Sequence, residues 1–434
     1  MSEGNKKDQY KKYVETSFLI LGVGSLLSWN TILTELDFFM HYQLEYQPQN
    51  VFGNINFAIN LTLQLYLLAS KKTVSYKKRI IFGLSCYIFS LIILPIATIY
   101  SNMIGQKYMG FICCCVAVFI NGFGNAVTQS SVFGLVSFFP MKNTIAVSTG
   151  QSVSGIILNC IRYFILLWLG EGKLNKAAGI FFSISICIMI FVLTRVFFLY
   201  KNPYFIAVLR KFGEIEGDGN DNEDLLEEEG TELQAINDDE RGGVGLENSN
   251  ENAEPPENEQ GLAYLIKKIY TILIMVILCF AITIGVYPGA CLKPDFFKIE
   301  GGWKVNSIIF LFNLSDTIGR KLVILFKDPQ LWQLYTISLL RLSFLVFIPY
   351  LSYVNKTGLL SSNIISVLNI IAVGLMAASS GMANSLCFSL APKQVKGALK
   401  ARAGSCVSFC LSVGLFVGSL LANVINIVDN SLTN

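Results

Sequence analysis

Residues 80–99, IIFGLSCYIFSLIILPIATI, run for twenty positions without one charged side chain. Coiled as a helix at 1.5 Å per residue, the stretch is about 30 Å long, the thickness of a bilayer's hydrocarbon core. Working outward, similar runs lie near 17–38, 52–70, 108–139, 144–169 and 178–199, and then near 263–287, 304–326, 332–353, 360–390 and 403–428. The pattern predicts an all-α polytopic membrane protein with eleven transmembrane helices, and an odd number places the termini on opposite sides. Composition agrees: 53% of the 434 residues are apolar and only 15% charged, where a soluble domain carries about 25%. An ordinary soluble enzyme is excluded.

The charges are unevenly placed. Eighteen of the 30 acidic residues lie between Glu214 and Glu259, leaving 12 acids against 32 Lys and Arg in the rest. That acidic stretch is rich in Asn and Gly, contains Pro255 and Pro256, and has too few large apolar residues to form a core. It reads as a solvated tether between six spans and five. The expected division is a cytoplasmic segment 1–16, a first bundle 17–200, an acidic disordered cytoplasmic loop 201–262, a second bundle 263–428 and an external tail 429–434. A 6 + 5 arrangement suits a transporter built of two rocking bundles with its solute held between them.

Orientation follows from basic residues in alternate loops. Twenty-two Lys and Arg fall on the side of the amino terminus and seven on the other, with Arg162, Arg195, Arg320 and Arg341 inside spans. The amino terminus and the acidic loop are expected to be cytoplasmic and the carboxyl terminus external, in the plasma membrane or an internal one. Lys6, Lys7, Lys11 and Lys12 lead straight into the first run, so no cleavable leader is expected.

Ten of the 11 cysteines fall within apolar runs, so no disulfide framework is implied. His41 is the only histidine, which removes His-based metal sites and His-centred triads. No metal, no cofactor and no enzymatic activity are expected.

A charge at the bilayer centre costs from about 2.5 kcal/mol upward, so charged groups within spans pair or face a cavity. In VNSIIFLFNLSDTIGRKLVILF (305–326), Asp316 is the one acid deep inside a span, and Arg320 follows four residues later on the same helix face. The pair reads equally as a structural lock or as a grip on the hydroxyl groups of a solute. In LGVGSLLSWNTILTELDFF (21–39), Trp29 sits near mid-membrane beside Leu26, a flat apolar wall suited to a planar ring, and Asn30 either packs helices or reads a ligand's edge. Glu35 and Asp37 lie at the outer end and read as solvated. In NGFGNAVTQSSVFGLVSFF (121–139), Gln129 offers an acceptor and donors, for another helix or for a nucleobase. Gating or structural features are Gln151 at the start of the fifth span, Arg341, and Pro349 as the bend in LLRLSFLVFIPY (339–350).

Taken together, these segments resemble the equilibrative nucleoside transporter family over most of the membrane part of the chain. The family's Gly-rich approach to Pro-Trp-Asn is similar to Gly22, Gly24, Leu27, Trp29 and Asn30, with Ser28 in place of the usual proline. Its stretch from Gln-Gly-Ser-Leu-Phe-Gly to Ser-Gly-Gln-Gly is matched at Gln129, Ser131, Phe133, Gly134, Leu135, Pro140, Thr144, Gly150, Gln151 and Gly155. Ser130 and Ser152 stand where that pattern has glycines, and Asn143 where it often has tyrosine. Phe312, Asn313, Asp316, Gly319 and Arg320 carry its Phe-Asn and Asp-x-x-Gly-Arg elements, the most specific match. The Asn- and Lys-leaning composition resembles the family's malaria-parasite branch.

The resemblance implies a fold similar to the major facilitator architecture with a central site. Leu26 and Trp29 would line the base, Gln129 would hydrogen-bond it, Asp316 with Arg320 would hold ribose hydroxyls, and Asn30 and Asn313 would support them. Arg341 would be structural or gating. The expected function is a monomeric, facilitative nucleoside or nucleobase transporter, moving purines of the adenosine or adenine type by alternating access. Its partners would be small purines and membrane lipid, with no nucleic acid polymer. The rivals are a proton-coupled purine symporter, with Asp316, Glu35 or Asp37 protonated in each cycle, and, from another class, a nucleoside-sensing receptor signalling through the acidic loop.

Overall fold

A backbone segment in hydrocarbon has no water to bond, so it satisfies its own N–H and C=O groups by coiling. The computed structural model follows that rule. It describes residues 3–431 apart from 47, 70–74, 171–172, 213–260, 300, 327 and 397–398, and among the described residues there is no strand. In chain order the helices are α1 (Glu3–Thr34), α2 (Leu36–Gln43), α3 (Pro48–Ala69), α4 (Tyr76–Met103), α5 (Lys107–Val136), α6 (Met141–Leu169) and α7 (Leu174–Leu199). They continue as α8 (Pro203–Lys211), α9 (Leu262–Val286), α10 (Gly301–Leu322), α11 (Leu331–Leu340), α12 (Leu342–Thr357), α13 (Ser362–Lys393) and α14 (Leu399–Ser431).

Ten helical stretches among the described residues are long and apolar enough to cross a membrane: α1, α3 to α7, α9, the α11–α12 pair, α13 and α14. The remaining expected span, α10, has 22 residues, but Lys304, Asn306, Asn313, Asp316, Arg320 and Lys321 make it more polar than the others. Its place in the fold explains that composition. Helices α1 and α3 to α7 pack as one bundle and α9 to α14 as a second; α10 lies on the seam against α6, while α14 lies against α3 and α5.

Side chains are sorted as lipid requires. Phe82, Phe89, Ile92, Ile96 and Tyr100 form an exposed stripe at helical spacing on α4, whereas Ser90 and Thr98 of the same helix are buried. A stripe of that kind on a soluble protein would mark a binding surface; here it is the face for acyl chains. Close approach of backbones inside the bundles depends on missing side chains. A Cβ on Gly22 would strike the carbonyl oxygen of Val147, and one on Gly150 that of Leu19, so α1 and α6 touch through glycine. Helices α10 and α13 meet in the same way: a Cβ on Gly319 would strike the Ala378 carbonyl, and one on Gly381 the Asp316 carbonyl.

Three boundaries differ from the sequence reading. Helix α1 starts at Glu3, so from there the expected amino-terminal segment is helical and runs unbroken into the first span. The expected loop 201–262 does not begin at 201: Asn202 caps α8 by accepting from Phe205 N at 3.1 Å, and Tyr204, Phe205, Ala207, Val208 and Leu209 are buried. Phe205 stacks on Phe139 at 5.2 Å, a contact that pure charge counting overlooked. The acidic stretch itself lies outside the described residues, apart from its flanks. The ninth span is two helices joined at Arg341, with Phe344 N bonded to the Arg341 carbonyl, whereas Pro349 lies inside α12 without interrupting it.

The glycine contacts give a direct test. Gly381→Val must part α10 from α13 against backbone, an overpacking cost of about 1–3 kcal/mol, and is expected to lower the melting temperature of the detergent-solubilised protein. Gly179→Ala, where an added Cβ meets nothing within 4 Å, should leave it the same or slightly higher, since Ala favours the helix over Gly.

Candidate functional site

The carboxylate of Asp316 and the guanidinium of Arg320 stand one helical turn apart on α10, both buried, with Arg320 Nε donating to Asp316 Oδ2 at 2.7 Å. Neither bundle holds the pair alone. From α6, Ser152 Oγ donates to Asp316 Oδ2, while Arg320 Nη1 donates to the carbonyl and hydroxyl oxygens of Ser148, both at 2.7 Å. From α13, the Asn384 amide oxygen, turned toward the guanidinium, accepts from Nη1 at 2.6 Å and Nη2 at 3.3 Å. Ser385 Oγ lies 3.1 Å from Ser148 Oγ. Removing one partner of such a pair strands the other charge, which typically costs about 3–5 kcal/mol.

Segment 148–155 of α6, STGQSVSG, is the rail along which most expected site residues meet. Besides Ser148 and Ser152, Ser154 Oγ accepts from Asn30 Nδ2 at 2.7 Å, Gln151 Nε2 donates to Ser25 Oγ at 3.3 Å, and Gly155 leaves room for the Asn313 side chain that lies against it. Asn313, Asp316 and Arg320 thus face α6 from one side while Asn30 reaches it from the other.

Gln129 joins the cluster indirectly. Its Nε2 donates to Asn125 Oδ1 at 2.8 Å, and the Tyr87 hydroxyl lies 3.1 Å from that same oxygen and 3.0 Å from the Ser25 carbonyl. Gln129 Oε1 is buried without a partner, an acceptor of the kind that costs free energy until a donor reaches it. Trp29 is half-buried and packs on Phe57 at 5.3 Å. Leu26, one turn away, is also half-buried.

Arg341 makes none of its hydrogen bonds to this cluster. It is fully buried and donates to the Met376 carbonyl and Ser379 Oγ, both at 2.7 Å, to the Cys279 carbonyl at 3.3 Å and to Thr283 Oγ1, binding α9 and α13 to the α11–α12 junction. Glu35 corrects the sequence reading, whereas Asp37 is exposed as expected. Glu35 is 0% exposed and Asp37 46%, and Arg162 of α6 bonds both, at 2.7 and 2.6 Å. Glu35 reads as solvated because its partner lies 127 residues away in the chain.

Ser148, Ser152 and Asn384 were missed as site residues, as were Tyr87 and Asn125. A signal existed for the first two. Ser148 and Ser152 are four residues apart, a polar stripe in an apolar helix, and Ser152 departs from the family pattern.

A nucleoside transporter family model matches residues 114–427. The chain belongs to that family. Its relatives include an equilibrative nucleoside transporter 1 of Rattus norvegicus, 25% identical across 96% of this chain and 97% of the relative. An equilibrative nucleotide transporter 1 of Arabidopsis thaliana is 23% identical across 93% and 84%. The nucleoside transporter FUN26 of Saccharomyces cerevisiae is 22% identical across 94% and 83%. Among solved structures, the major facilitator superfamily proton:xylose symporter XylE superposes with a TM-score of 0.63 at 12% identity, covering 97% of this chain and 90% of that one. The fucose:proton symporter FucP of E. coli gives 0.56, also at 12%, covering 98% and 92%. The fold is therefore the major facilitator architecture, in an integral, multi-pass membrane protein of a transporter family.

The buried Arg162–Glu35 pair, just past the end of α1, has a clear expectation. Arg162→Met leaves Glu35 buried without its counter-charge and should destabilise the protein by about 3–5 kcal/mol. The double variant Glu35→Gln, Arg162→Met should recover most of that loss in a thermal melt.

Proposed function

We propose that this protein moves purine nucleosides or nucleobases, of the adenosine or adenine kind, down their gradient by alternating access of the two bundles. The observation that carries the reading is the Asp316–Arg320 pair, buried on the seam and bonded from both bundles at once. A carboxylate accepts from sugar hydroxyls and a guanidinium donates to ring or sugar oxygens. Because the groups that would grip the sugar are also those that join the bundles, a solute taken up there exchanges seam hydrogen bonds for its own. Gln129, with its unpartnered acceptor, would take the exocyclic amine of a purine; Leu26 and Trp29 supply an apolar wall for the ring, and Asn30 and Asn313 support the α6 rail. The names of the relatives, nucleoside and nucleotide transporters, agree with this class of solute.

The protein would act as a monomer without a cofactor, in the plasma membrane, with a cytoplasmic amino terminus and an external carboxyl terminus. A second reading, proton-coupled purine symport, rests on Glu35, whose Oε2 is buried without a partner beside the guanidinium of Arg162.

Uptake of labelled adenosine and adenine into proteoliposomes, with and without a pH gradient, separates the two. Facilitated transport equilibrates, ignores the pH gradient, and falls at least tenfold in Asp316→Ala. Accumulation driven by an acidic outer bath would instead establish symport. No uptake of either solute by folded protein would overturn the purine reading.

A further inference from the structure

Asp316 already holds a hydroxyl. Its two carboxylate oxygens offer about four lone-pair sites, and the hydrogen bonds it accepts from the described residues, from Arg320 Nε and Ser152 Oγ, both fall on Oδ2. Ser152 comes from α6 of the opposite bundle and is itself buried. Its bond to the carboxylate is chemically the bond that an alcohol of a solute would make. Oδ1 keeps its own lone-pair sites for an incoming solute.

A vicinal diol binds a carboxylate best with one hydroxyl on each oxygen. The first hydroxyl of a ribose finds Oδ1, but the second meets an Oδ2 whose two lone-pair sites are taken. Arg320 cannot yield without stranding its charge, so the Ser152 hydroxyl is the group to be displaced. A 2′-deoxyribose, with one ring hydroxyl near the carboxylate, asks for no displacement. We propose that Ser152 is a specificity-determining residue, an internal hydroxyl that competes at Asp316 with the second hydroxyl of a vicinal diol and narrows the preference for ribonucleosides over 2′-deoxynucleosides. Ser148 plays no such part, since its bonds run to Arg320 rather than to the carboxylate.

The inference rests on the reading of Asp316 as the sugar-holding group, and the experiment keeps the two apart. Inhibition of labelled adenine uptake by adenosine, 2′-deoxyadenosine and unlabelled adenine is measured in proteoliposomes for the wild type, Ser152→Ala and Ser152→Thr. Freeing one lone pair of a charged acceptor is expected to raise the adenosine to 2′-deoxyadenosine affinity ratio roughly tenfold in Ser152→Ala. The 2′-deoxyadenosine to adenine ratio should change less than twofold, and Ser152→Thr, which keeps the hydroxyl, should keep the wild-type ratios. A merely structural role for Ser152 moves the affinities of all three compounds by one factor. That result, an unchanged ratio in Ser152→Ala, or a Ser152→Thr ratio equal to that of Ser152→Ala would overturn the proposal while leaving purine transport standing. If the wild type takes up adenine yet neither nucleoside competes, Asp316 is not a sugar-holding group and the proposal falls on that count. If the wild type takes up no adenine and the two nucleosides do not enter either, the purine reading fails first and takes the proposal with it.

Discussion

Arg320 and Asp316 are buried in a part of the protein that lipid surrounds, and the rest of the structure follows from how that charge pair is kept. Charges in a low-dielectric interior survive only when hydrogen bonds replace the water they lost. One helix can supply the ion pair, as α10 does through i, i+4 spacing, but it cannot supply the remaining partners. Those come from Ser148 and Ser152 on α6 and Asn384 on α13. For these short side chains to reach, the helices must lie close, and the glycines at 319 and 381 allow α10 and α13 to do so.

Two bundles that share one polar cluster cannot move independently of it. Elsewhere on the seam Phe133 of α5 stacks on Phe388 of α13 at 3.6 Å, and Asn60 of α3 donates to Ser412 of α14 at 3.0 Å. Tyr163 of α6 lies 5.7 Å from Trp303 and 2.8 Å from Ser307 Oγ, and Asn306 Nδ2 reaches the Asn159 carbonyl at 3.4 Å. These contacts, with the charge pair, join the two bundles. In the proposed rocking-bundle reading they are the ones that would have to break for a central site to open.

The other charges inside spans obey the same accounting without sharing the role. Arg341 spends its donors on carbonyls and hydroxyls of α9 and α13 within one bundle, and Arg162 meets two acids of the same bundle. Both join helices of a single bundle. Position relative to the seam, rather than burial, separates a charge that can answer to a solute from one that holds a bundle.

Much of this was legible in the chain. Twenty-residue apolar runs determine that helices form and cross, because a membrane leaves the backbone no alternative, and the i, i+4 spacing of Asp316 and Arg320 determines that they pair, because both atoms hang on one turn. Such local signals survive without a fold. Who else touches the pair was decided only by tertiary structure. Ser152 and Asp316 are 164 residues apart, Arg162 and Glu35 127, and a serine or an external acid carries no mark of its distant partner. Helix α8 was hidden for the related reason that its apolar face is short and only packing against Phe18 and Phe139 gives it a place. Sequence sets what each residue must avoid in lipid; the packing of helices chooses which neighbour relieves it.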